Sequence, residues 1–528
     1  MPFMADLKMY VRFALGLRSF LRNPMSPEES LRILHERLAN REQNFLDLVR
    51  TRIYGYEKSP YRFVLEQAGC EFGDIEASVR SHGLEGALRE LRRSGVYVGF
   101  EEFKSGTPIV RNGKEFPVQP HDFDNPYLGP AYGAASGGST GAGTRVQIDL
   151  DHLASVVPYT ALLHLGRPRA HETPSALWVG VLPAADGVAS ALRRAKSGRR
   201  NWTWFTTMAG PDFRPSLKNR LAMEGILFLS RLHGRPIPRP IPVPVSEALT
   251  VAKWACEALA RHGECRILTY VSNAVRVCVA ARENGIDLTG CTFSVGGEPP
   301  TPAKAREIER AGARFNPCYV ITEIGAVGLG CRNPIDENDM HLLKDNVALV
   351  QHPRLVPGTD FTVDAFNFTT LLPSTPKIML NVESDDYGVV ETRACGCPLE
   401  EHGFTEHVRG VRSFRKLTSE AVTLVGNAMI RILEEVLPAR FGGTAVDYQI
   451  MEEEDSNGLT RVSLLVDPTV RLDDEQAVID TVLAELRKDS EAAGLAAVVW
   501  KQAGTLRVKR QAPIATRRGK LLPLHIVR

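Results

Sequence analysis

The 528-residue sequence lacks three features that would each assign it to a broad class of proteins. No apolar run reaches the ~18 residues that a membrane-spanning helix needs. Charge of one sign is not in excess, since 64 basic and 62 acidic residues leave a formal net charge of +2. This near balance argues against nucleic acid as the main partner. Internal repeats and low-complexity tracts are also missing, so we expect neither a solenoid nor a disordered chain.

A disulfide framework is a fourth missing feature. The sequence has nine cysteines, an odd number whose spacings do not suggest pairing, and this is typical of a reducing compartment such as the cytoplasm. The chain is 43% hydrophobic, which is ample for a core spread over two or three domains. Six cysteines have mostly apolar neighbours and are interpreted as free core thiols: Cys70, Cys256, Cys265, Cys278, Cys291 and Cys318.

A run of glycines and hydroxyl side chains, S-G-G-S-T-G-A-G-T-R, spans residues 136–145. Glycines let backbone N–H groups turn inward to form an anion nest, and the Ser and Thr hydroxyls add donors for phosphate oxygens. The run differs from the Walker loop G-x-x-x-x-G-K-[ST], because no lysine follows its last glycine. Taken alone, it predicts either a phosphate loop or a flexible Gly/Ser turn.

Four further motifs follow in order. F-S-V-G-G-E-P-P-T, from residue 293, places a Gly-Gly turn between a strand and a helix at 302–311, where a flat ring can lie against bare backbone. Y-V-I-T-E at 319–323 is an apolar strand that ends in a hydroxyl and a carboxylate. N-V-E-S-D-D-Y-G at 381–388 places two adjacent carboxylates at a strand end, and P-I-A-T-R-R-G-K at 513–520 is a basic loop.

From about Asp122 to Arg528, this ordered set resembles the adenylate-forming superfamily of acyl-CoA synthetases. Within it, the chain looks like the phenylacetate-CoA ligase-like branch with a zinc-binding insertion. The resemblance implies an α/β fold with a large N-terminal domain of packed sheets and helices and a small mobile C-terminal lid. It also implies ATP-dependent activation of a carboxylic acid to an acyl-adenylate, followed by transfer to CoA, with Mg²⁺ as a further cofactor.

The resemblance assigns a role to each matching residue. The β- and γ-phosphates would contact Ser136, Gly138, Ser139, Thr140, Gly141 and Thr144, and adenine would lie beside Gly296, Gly297, Glu298 and Pro299. The other nucleotide contacts would be Tyr319, Thr322 at the α-phosphate, Asp386 at the ribose hydroxyls and Arg412 at ribose or phosphate. Glu323 would bind Mg²⁺, and Lys520 would reach the carboxylate and the α-phosphate oxygen. Such transfers depend on positioning and fixed positive charge. No general base is required, because an ionised carboxylate is already the nucleophile.

A second group of residues is independent of the nucleotide. Cys331, His341, Cys395 and Cys397 provide three thiolates and an imidazole, which suit tetrahedral zinc. Members of the branch that the chain resembles have the same arrangement, which implies a structural Zn²⁺ held by four protein ligands. The alternative is three unrelated cysteines and a surface histidine.

We expect three regions: a helical N-terminal extension at 1–95, a nucleotide- and substrate-binding domain at 96–410, and the lid at 411–528. The lid should contain a strand at 460–466, a helix at 474–488 and a strand at 497–501. Residues 7–21 predict an amphipathic helix. Docking on its own domain, or on a partner subunit of a homodimer, is favoured over lying on a membrane surface.

The partners predicted by the resemblance are small-molecule carboxylic acids, with aryl and arylacetic acids favoured. Trp204, Phe205 and Phe228 would either stack on an aromatic ring or be ordinary core residues. The resemblance implies CoA as the acceptor of the acyl group, with an amine, a carrier-protein thiol or another nucleophile as the alternative. A third hypothesis is a non-catalytic, zinc-stabilised binding protein on the same fold.

Overall fold

The structure is a computed structural model and describes residues 2–129, 131–135, 145–165, 172–182, 184–207, 216–355, 362–413, 417–419, 422–424, 429, 431–444, 447–455, 460–489, 491–514 and 524–526. The strands are β1 (Ile109–Arg111), β2 (Lys114–Phe116), β3 (Ala131–Ala135), β4 (Arg145–Asp149), β5 (Ser175–Trp178), β6 (Trp202–Thr206), β7 (Ile241–Pro242), β8 (Cys265–Tyr270), β9 (Cys291–Gly296), β10 (Arg314–Ile321), β11 (Gly325–Gly330), β12 (Met340–Leu342), β13 (Val347–Leu355), β14 (Thr362–Thr370), β15 (Val382–Thr392), β16 (Glu406–Ser413), β17 (Leu417–Ser419), β18 (Val422–Leu424), β19 (Tyr448–Glu454), β20 (Thr460–Val466), β21 (Leu506–Arg510) and β22 (Leu524–Ile526).

Helices occupy much of the remaining chain. The α-helices are Pro2–Arg22, Pro27–Ala39, Arg41–Leu48, Pro60–Gln67, Phe72–Arg93, Phe100–Ser105, Leu150–Val156, Tyr159–Leu162, Ala185–Lys196, Leu217–Leu232, Ala248–His262, Val271–Glu283, Pro302–Arg310, Pro398–Glu401, Leu437–Phe441, Glu475–Asp489 and Glu491–Ala503. Single π-helical turns lie at Val49–Tyr54 and Ile432–Val436, and 3₁₀ turns at Pro120–Phe123 and Val245–Glu247.

Twelve described strands form one sheet in the order β13-β14-β15-β16-β12-β11-β10-β9-β8-β5-β6-β7. In this sheet order, every neighbouring pair between β10 and the β7 edge is parallel. Every neighbouring pair between β10 and the β13 edge is antiparallel. β10 belongs to both halves, because residues 314–317 pair with β9 and residues 318–321 pair with β11. The carboxyl end of β10 therefore lies at a change of topology, the kind of position where open α/β sheets bind ligands.

The predicted order of strand, Gly-Gly turn and helix next to this position is confirmed. β8, the helix Val271–Glu283, β9 and the helix Pro302–Arg310 follow one another, so the Gly-Gly turn joins a strand to a helix as expected. Gly297 takes a φ of +81°, a left-handed conformation that glycine adopts without strain. Thr301 caps the following helix by accepting a hydrogen bond from the Lys304 N–H.

The N-terminal helices share a core with the antiparallel half of the sheet. Phe45 and Tyr61 are buried in the same cluster as Phe366 and Phe368 of β14. The Tyr61 hydroxyl donates to the Ile378 carbonyl oxygen at 3.0 Å. The start of the second helix also agrees with the sequence, since Ser26 accepts from the Glu29 N–H at 3.1 Å. These helices are thus built into the large unit by packing.

The first helix, Pro2–Arg22, was predicted to dock on its own domain or on a partner subunit, and one side of it docks on its own domain. The side chains of Phe13, Leu17, Phe20 and Leu21 are buried in a cluster with residues of β5, β6 and the helix Ala185–Lys196. Among the described residues, no helix is both long enough and apolar enough to cross a membrane.

A smaller sheet, in the order β21-β20-β19-β22, lies at the C-terminal end of the chain. The helices Glu475–Asp489 and Glu491–Ala503 contribute to its core, in which Trp500 is buried. β20 and the first of these helices confirm two predicted elements. The predicted strand at 497–501 is wrong, because these residues belong to the second helix. Alanines at 492, 493, 496 and 497 favour helix, and three residues of the apolar run that suggested a strand, Ala497, Val498 and Trp500, are buried side chains of that helix.

Candidate functional site

Thr322 and Glu323 lie in the tight turn that joins β10 to β11, as the Y-V-I-T-E pattern predicts. Ile324 N–H donates to the Ile321 carbonyl oxygen at 3.0 Å, which closes the turn. Gly325 follows with a φ of +98°, a value that favours glycine. The turn therefore places a half-buried hydroxyl and a buried carboxylate side by side at the carboxyl end of β10.

Glu323 is only 3% exposed, and its Oε1 forms an ion pair with Lys104 Nζ. Burial raises the pKa of Glu323, but the Lys104 ammonium more than offsets this and the net shift is downward. The carboxylate is therefore ionised at neutral pH. Sequence reasoning did not identify Lys104, which comes from the helix Phe100–Ser105, because no motif links it to a residue more than two hundred positions later.

A second buried cation, Lys377, lies near the same turn. Its Nζ donates to Asp124 Oδ1 at 2.5 Å and to the Pro120 carbonyl oxygen at 2.7 Å, and its backbone N–H donates to the Glu323 carbonyl oxygen at 3.3 Å. Mg²⁺ in nucleotide sites usually takes one or two carboxylates, with phosphates and water completing the octahedron. A single carboxylate at Glu323 suits that role, although Lys104 occupies its Oε1.

Tyr319 and Asp386 meet across the sheet, although their strands are not neighbours. The Tyr319 hydroxyl donates to Asp386 Oδ2 at 2.6 Å. Burial, together with the Asp386 charge, raises the pKa of Tyr319, so its hydroxyl keeps its proton and remains a donor. Asp386 is the fifth of the eleven residues of β15 and does not lie at a strand end as the sequence suggested. The carboxylate is half-buried, so it remains accessible from one side.

The neighbouring carboxylates of this segment have different environments. Ser413 Oγ donates to Asp385 Oδ2 at 3.0 Å, and Asp385 is fully buried. Glu383 is also buried and is paired with Arg92 and Arg354. Asp386 is thus the member of this acidic run that bonds the tyrosine of β10. Arg412 is exposed on β16 and pairs in register with Tyr387, so it lies on the strand beside Asp386.

The Gly296 to Pro299 segment follows β9 at the same edge of the sheet. Gly296 packs tightly, since a Cβ there would lie 3.0 Å from the Cys318 carbonyl oxygen. Glu298 points into the protein, where it accepts from the Ser272 N–H and hydroxyl at 2.7 Å and pairs with Lys304 at 2.9 Å. Its carboxylate therefore holds the turn in place, and the backbone of the two glycines is the part suited to contact a base.

Several predicted site residues lie outside the described residues: Ser136, Gly138, Ser139, Thr140, Gly141, Thr144 and Lys520. The chain on either side of them is described. β3 and β4 pair up to Ala135 and Arg145, so the predicted phosphate loop connects an antiparallel hairpin. On the N-terminal side of Lys520, the side chain of Gln449 in β19 forms two hydrogen bonds with the backbone of Ile514. On its C-terminal side, β22 pairs with β19.

The four predicted zinc ligands are brought together. Cys331 follows β11, His341 lies on β12, and Cys395 and Cys397 follow β15. His341 Nε2 is 3.0 Å from Cys397 Sγ and 3.7 Å from Cys395 Sγ. Its Nδ1 donates to the Phe404 carbonyl oxygen at 2.7 Å, which leaves Nε2 as the ligand atom facing the sulfurs.

A fifth donor, His407 of β16, was not predicted. The ligand atoms of Cys331, His341, Cys395 and His407 all lie within 4.8 Å of one another. His407 Nδ1 is 2.7 Å from Asp339 Oδ1, and its buried Nε2 has no hydrogen-bond partner among the described residues. A carboxylate behind an imidazole is the usual support of a zinc-binding histidine. The donor set therefore fits zinc, and the C-x-C signal gave no hint of His407.

The aromatic residues considered for an acid pocket do not line a common cavity. Trp204 and Phe205 are 1% and 4% exposed and belong to two different core clusters. Phe228 is 65% exposed on the outer face of the helix Leu217–Leu232. For Trp204 and Phe205, the interpretation as core residues is therefore the one that the structure favours.

No family model matches the chain, and no curated protein matches its sequence significantly. Solved structures are similar in fold. 2-Hydroxyisobutyryl-CoA ligase, in complex with 2-HIB-AMP and CoA in its thioesterification state, superposes with a TM-score of 0.53 and 16% identity over 92% of this chain and 90% of that one. An open conformation of the same ligase gives 0.43, with 16% identity over 92% and 93%.

An amide bond synthetase from Marinactinospora thermotolerans gives a TM-score of 0.40, with 11% identity over 88% of this chain and 91% of that one. The superposition at 0.53 covers nearly the whole of both chains. The chain therefore has the α/β fold of the 2-hydroxyisobutyryl-CoA ligase, with a large mixed-sheet part and a small C-terminal part.

Proposed function

We propose that the protein activates a carboxylic acid with ATP, forming an acyl-adenylate and pyrophosphate, and then transfers the acyl group to CoA. The observation that supports this most is the meeting of Tyr319, Asp386 and the Thr322–Glu323 turn around the end of β10. These residues come from motifs more than sixty positions apart, and they converge at the topology change of a fold that adenylate-forming ligases use.

In the first step, a carboxylate oxygen of the acid attacks the α-phosphorus of ATP. A new P–O bond forms, the bond to the bridging oxygen of the β-phosphate breaks, and pyrophosphate leaves. Asp386, supported by the Tyr319 hydroxyl, accepts from the ribose hydroxyls, and Thr322 donates to the α-phosphate. Glu323 would hold Mg²⁺, which supplies positive charge to the phosphate oxygens. Lys520 would place a further cation where charge builds up on the reacting oxygens.

In the second step, the thiol sulfur attacks the acyl carbon. The bond between that carbon and the phosphate oxygen breaks, AMP leaves, and the thiol proton passes to solvent. CoA is the proposed acceptor because of the sequence resemblance, and an amine or a carrier-protein thiol is the alternative. The proposed acids are aryl or arylacetic. Zinc bound to the cysteine and histidine cluster is proposed to be structural, since protein donors can fill all four positions.

The test is pyrophosphate release from ATP and Mg²⁺ across aryl, arylacetic and fatty acids, each with and without CoA. Release with one class of acid supports adenylation, and CoA-dependent AMP release identifies the acceptor. Release without any CoA effect would move the second step to another nucleophile. Retained ATP binding with no release from any acid would favour a binding protein on this fold.

Lys520→Ala is the sharpest variant for the same assay. We expect pyrophosphate release to fall by about a hundredfold to a thousandfold, with ATP binding largely kept. Lys488→Ala is the matched control, because that lysine is 69% exposed on a helix of the same C-terminal part. Equal rates for the two variants would remove Lys520 from the proposed mechanism.

A further inference from the structure

Exposed apolar side chains are concentrated on two helices that contact each other, Pro2–Arg22 and Leu217–Leu232. Thirteen large apolar side chains stand out as exposed among the described residues, and six of them lie on these two helices. The six are Val11, Leu15, Leu217, Leu221, Phe228 and Leu232, with exposed fractions between 51% and 73%. We call these six the apolar face. Apolar exposure concentrated on neighbouring helices in this way is typical of a binding surface.

The apolar face is separate from the surfaces that fix the helices in the fold. On the second helix, Ile226 and Leu227 are buried, whereas the four exposed members lie on the other side of the helix within about 60° of arc. On the first helix, Phe13 and Leu17 are buried, and Val11 and Leu15 lie opposite them. Each helix therefore has two apolar sides, of which folding uses one.

Basic residues flank the apolar face. The two helices carry seven Lys and Arg residues but two acidic ones, in a chain whose 64 basic and 62 acidic residues nearly balance. On the second helix, Lys218 is about 40° beyond one edge of the apolar stripe, and Arg231 and Arg220 are about 40° and 60° beyond the other edge. The one acid of that helix, Glu224, is neutralised by a bidentate pair with Arg239, with both distances 2.7 Å.

We propose that the apolar face, with its flanking cations, binds the surface of anionic lipid membranes. An apolar stripe bordered by Lys and Arg is the pattern of helices that lie in the membrane interface, with the cations near lipid phosphates. A symmetric dimer across this face is disfavoured, because a twofold axis would place two surfaces that are both flanked by cations against each other. The stripe runs the length of a helix about 24 Å long with cations along both sides, which suits a flat anionic surface better than a compact protein patch.

The experiment is co-sedimentation of the full chain with two kinds of vesicle, pure phosphatidylcholine and equal parts of phosphatidylcholine and phosphatidylglycerol. We expect binding to the mixed vesicles that weakens as salt rises. The variant Leu221→Gln/Phe228→Gln should bind them at least tenfold more weakly. Arg220→Gln/Arg231→Gln should lose about fivefold for each charge removed, and only on anionic vesicles.

The control is Val110→Gln/Leu355→Gln, which removes two apolar side chains of similar exposure, 53% and 57%, elsewhere on the surface and should bind like the parent. Circular dichroism checks that every variant is folded. Failure of the parent to bind anionic vesicles would overturn the proposal and direct attention to an acidic protein partner. Light scattering that shows a dimer lost in Leu221→Gln/Phe228→Gln would overturn it in favour of a second copy. The assay needs no turnover, so its result is independent of the adenylation test.

Discussion

At the residue scale, the pair between Lys104 and Glu323 shows which parts of the site a sequence can reveal. Glu323 is visible because it ends a short apolar strand in a recognisable order of motifs. Lys104 is not, because its role depends only on how the helix Phe100–Ser105 packs beside the turn. His407 is a similar case, since its partner residue Asp339 and the cysteines come from separate strands and loops. Local motifs were predictable, and contacts created by packing were not.

Removing the Lys104 ammonium should leave a buried carboxylate without its direct partner. We expect Lys104→Met to lower the free energy of unfolding by about 3 kcal/mol, because an uncompensated buried charge is strongly unfavourable. The double variant Lys104→Met/Glu323→Gln should recover much of that loss. Chemical denaturation measures both. Arg239→Met, which breaks an exposed pair with Glu224, is the control and should change little. Equal stabilities of the single and double variants would mean that the pair does not stabilise the turn.

Asp345 should make stability depend on pH. It is fully buried, accepts from the Tyr159 hydroxyl at 2.7 Å, and burial raises its pKa to about 7, although Arg37 at 3.8 Å opposes this. The folded state therefore favours the protonated acid. Its contribution is complete below the unfolded pKa of about 3.9 and is lost as the pH rises through 7.

Asp345→Asn keeps a hydrogen-bonding group beside Tyr159 and removes this titration. We expect the variant to gain stability over the parent as the pH rises from 4 to 8, by roughly 4 kcal/mol at most. Urea denaturation at several pH values measures the difference. Asp473→Asn, at an exposed position, is the control. Parallel pH profiles for the parent and Asp345→Asn would contradict the raised pKa.

At the element scale, the helix Ala185–Lys196 lies against the end of β5 because residue 187 is glycine. A Cβ at Gly187 would lie 1.9 Å from the Gly180 carbonyl oxygen and 2.9 Å from the Trp204 ring. Helix propensity alone predicts that Gly187→Ala stabilises by about 1 kcal/mol. We expect the opposite, a loss of at least ~2 kcal/mol, because backbone has to move.

Gly225→Ala is the matched control for Gly187→Ala. Gly225 lies in the helix Leu217–Leu232, and a Cβ there meets no atom within 4 Å. Its replacement should stabilise the protein by up to about 1 kcal/mol. The thermal unfolding midpoints of the two variants show whether helix propensity or the close packing at Gly187 determines the change in stability. Stabilisation in both would mean that the helix can shift away from β5 without loss.

The proposed zinc site joins four elements, since its five candidate donors come from the loop after β11, from β12, from the C-x-C segment and from β16. Zinc needs four donors, and Cys331, His341 and Cys395 supply three of them. Cys397 and His407 both lie beside these three, so either can supply the fourth. We expect Cys397→Ser and His407→Ala each to retain about one zinc per chain and the double variant to lose it. Metal analysis after dialysis against a chelator measures this. Loss of zinc in one single variant would identify that residue as the obligatory fourth ligand.

At the scale of the whole molecule, the buried residues divide into separate cores. One contains the N-terminal helices and the antiparallel half of the large sheet, including Tyr61. Another contains the C-terminal sheet and its two helices, including Leu464 and Trp500, and shares no member with the first. Because the N-terminal helices complete the first core, we expect them to unfold together with the sheet and not as an independent extension. The C-terminal part has a core of its own and should unfold as a separate cooperative unit.

Two core truncations test this division. Leu464→Ala should destabilise the C-terminal unit by about 2–5 kcal/mol, and Tyr61→Ala should destabilise the large unit by a similar amount, because each leaves a cavity in one core. Hydrogen exchange followed by mass spectrometry reads out both units at once. In Leu464→Ala, peptides from residues 448–510 should exchange faster while those of β8 and β9 stay protected. In Tyr61→Ala, peptides from 27–93 and from β13 to β15 should lose protection together, and the C-terminal peptides should not change. Faster exchange throughout the chain in both variants would show that the two cores unfold as one unit, and the division at the C-terminal sheet would then have no thermodynamic basis.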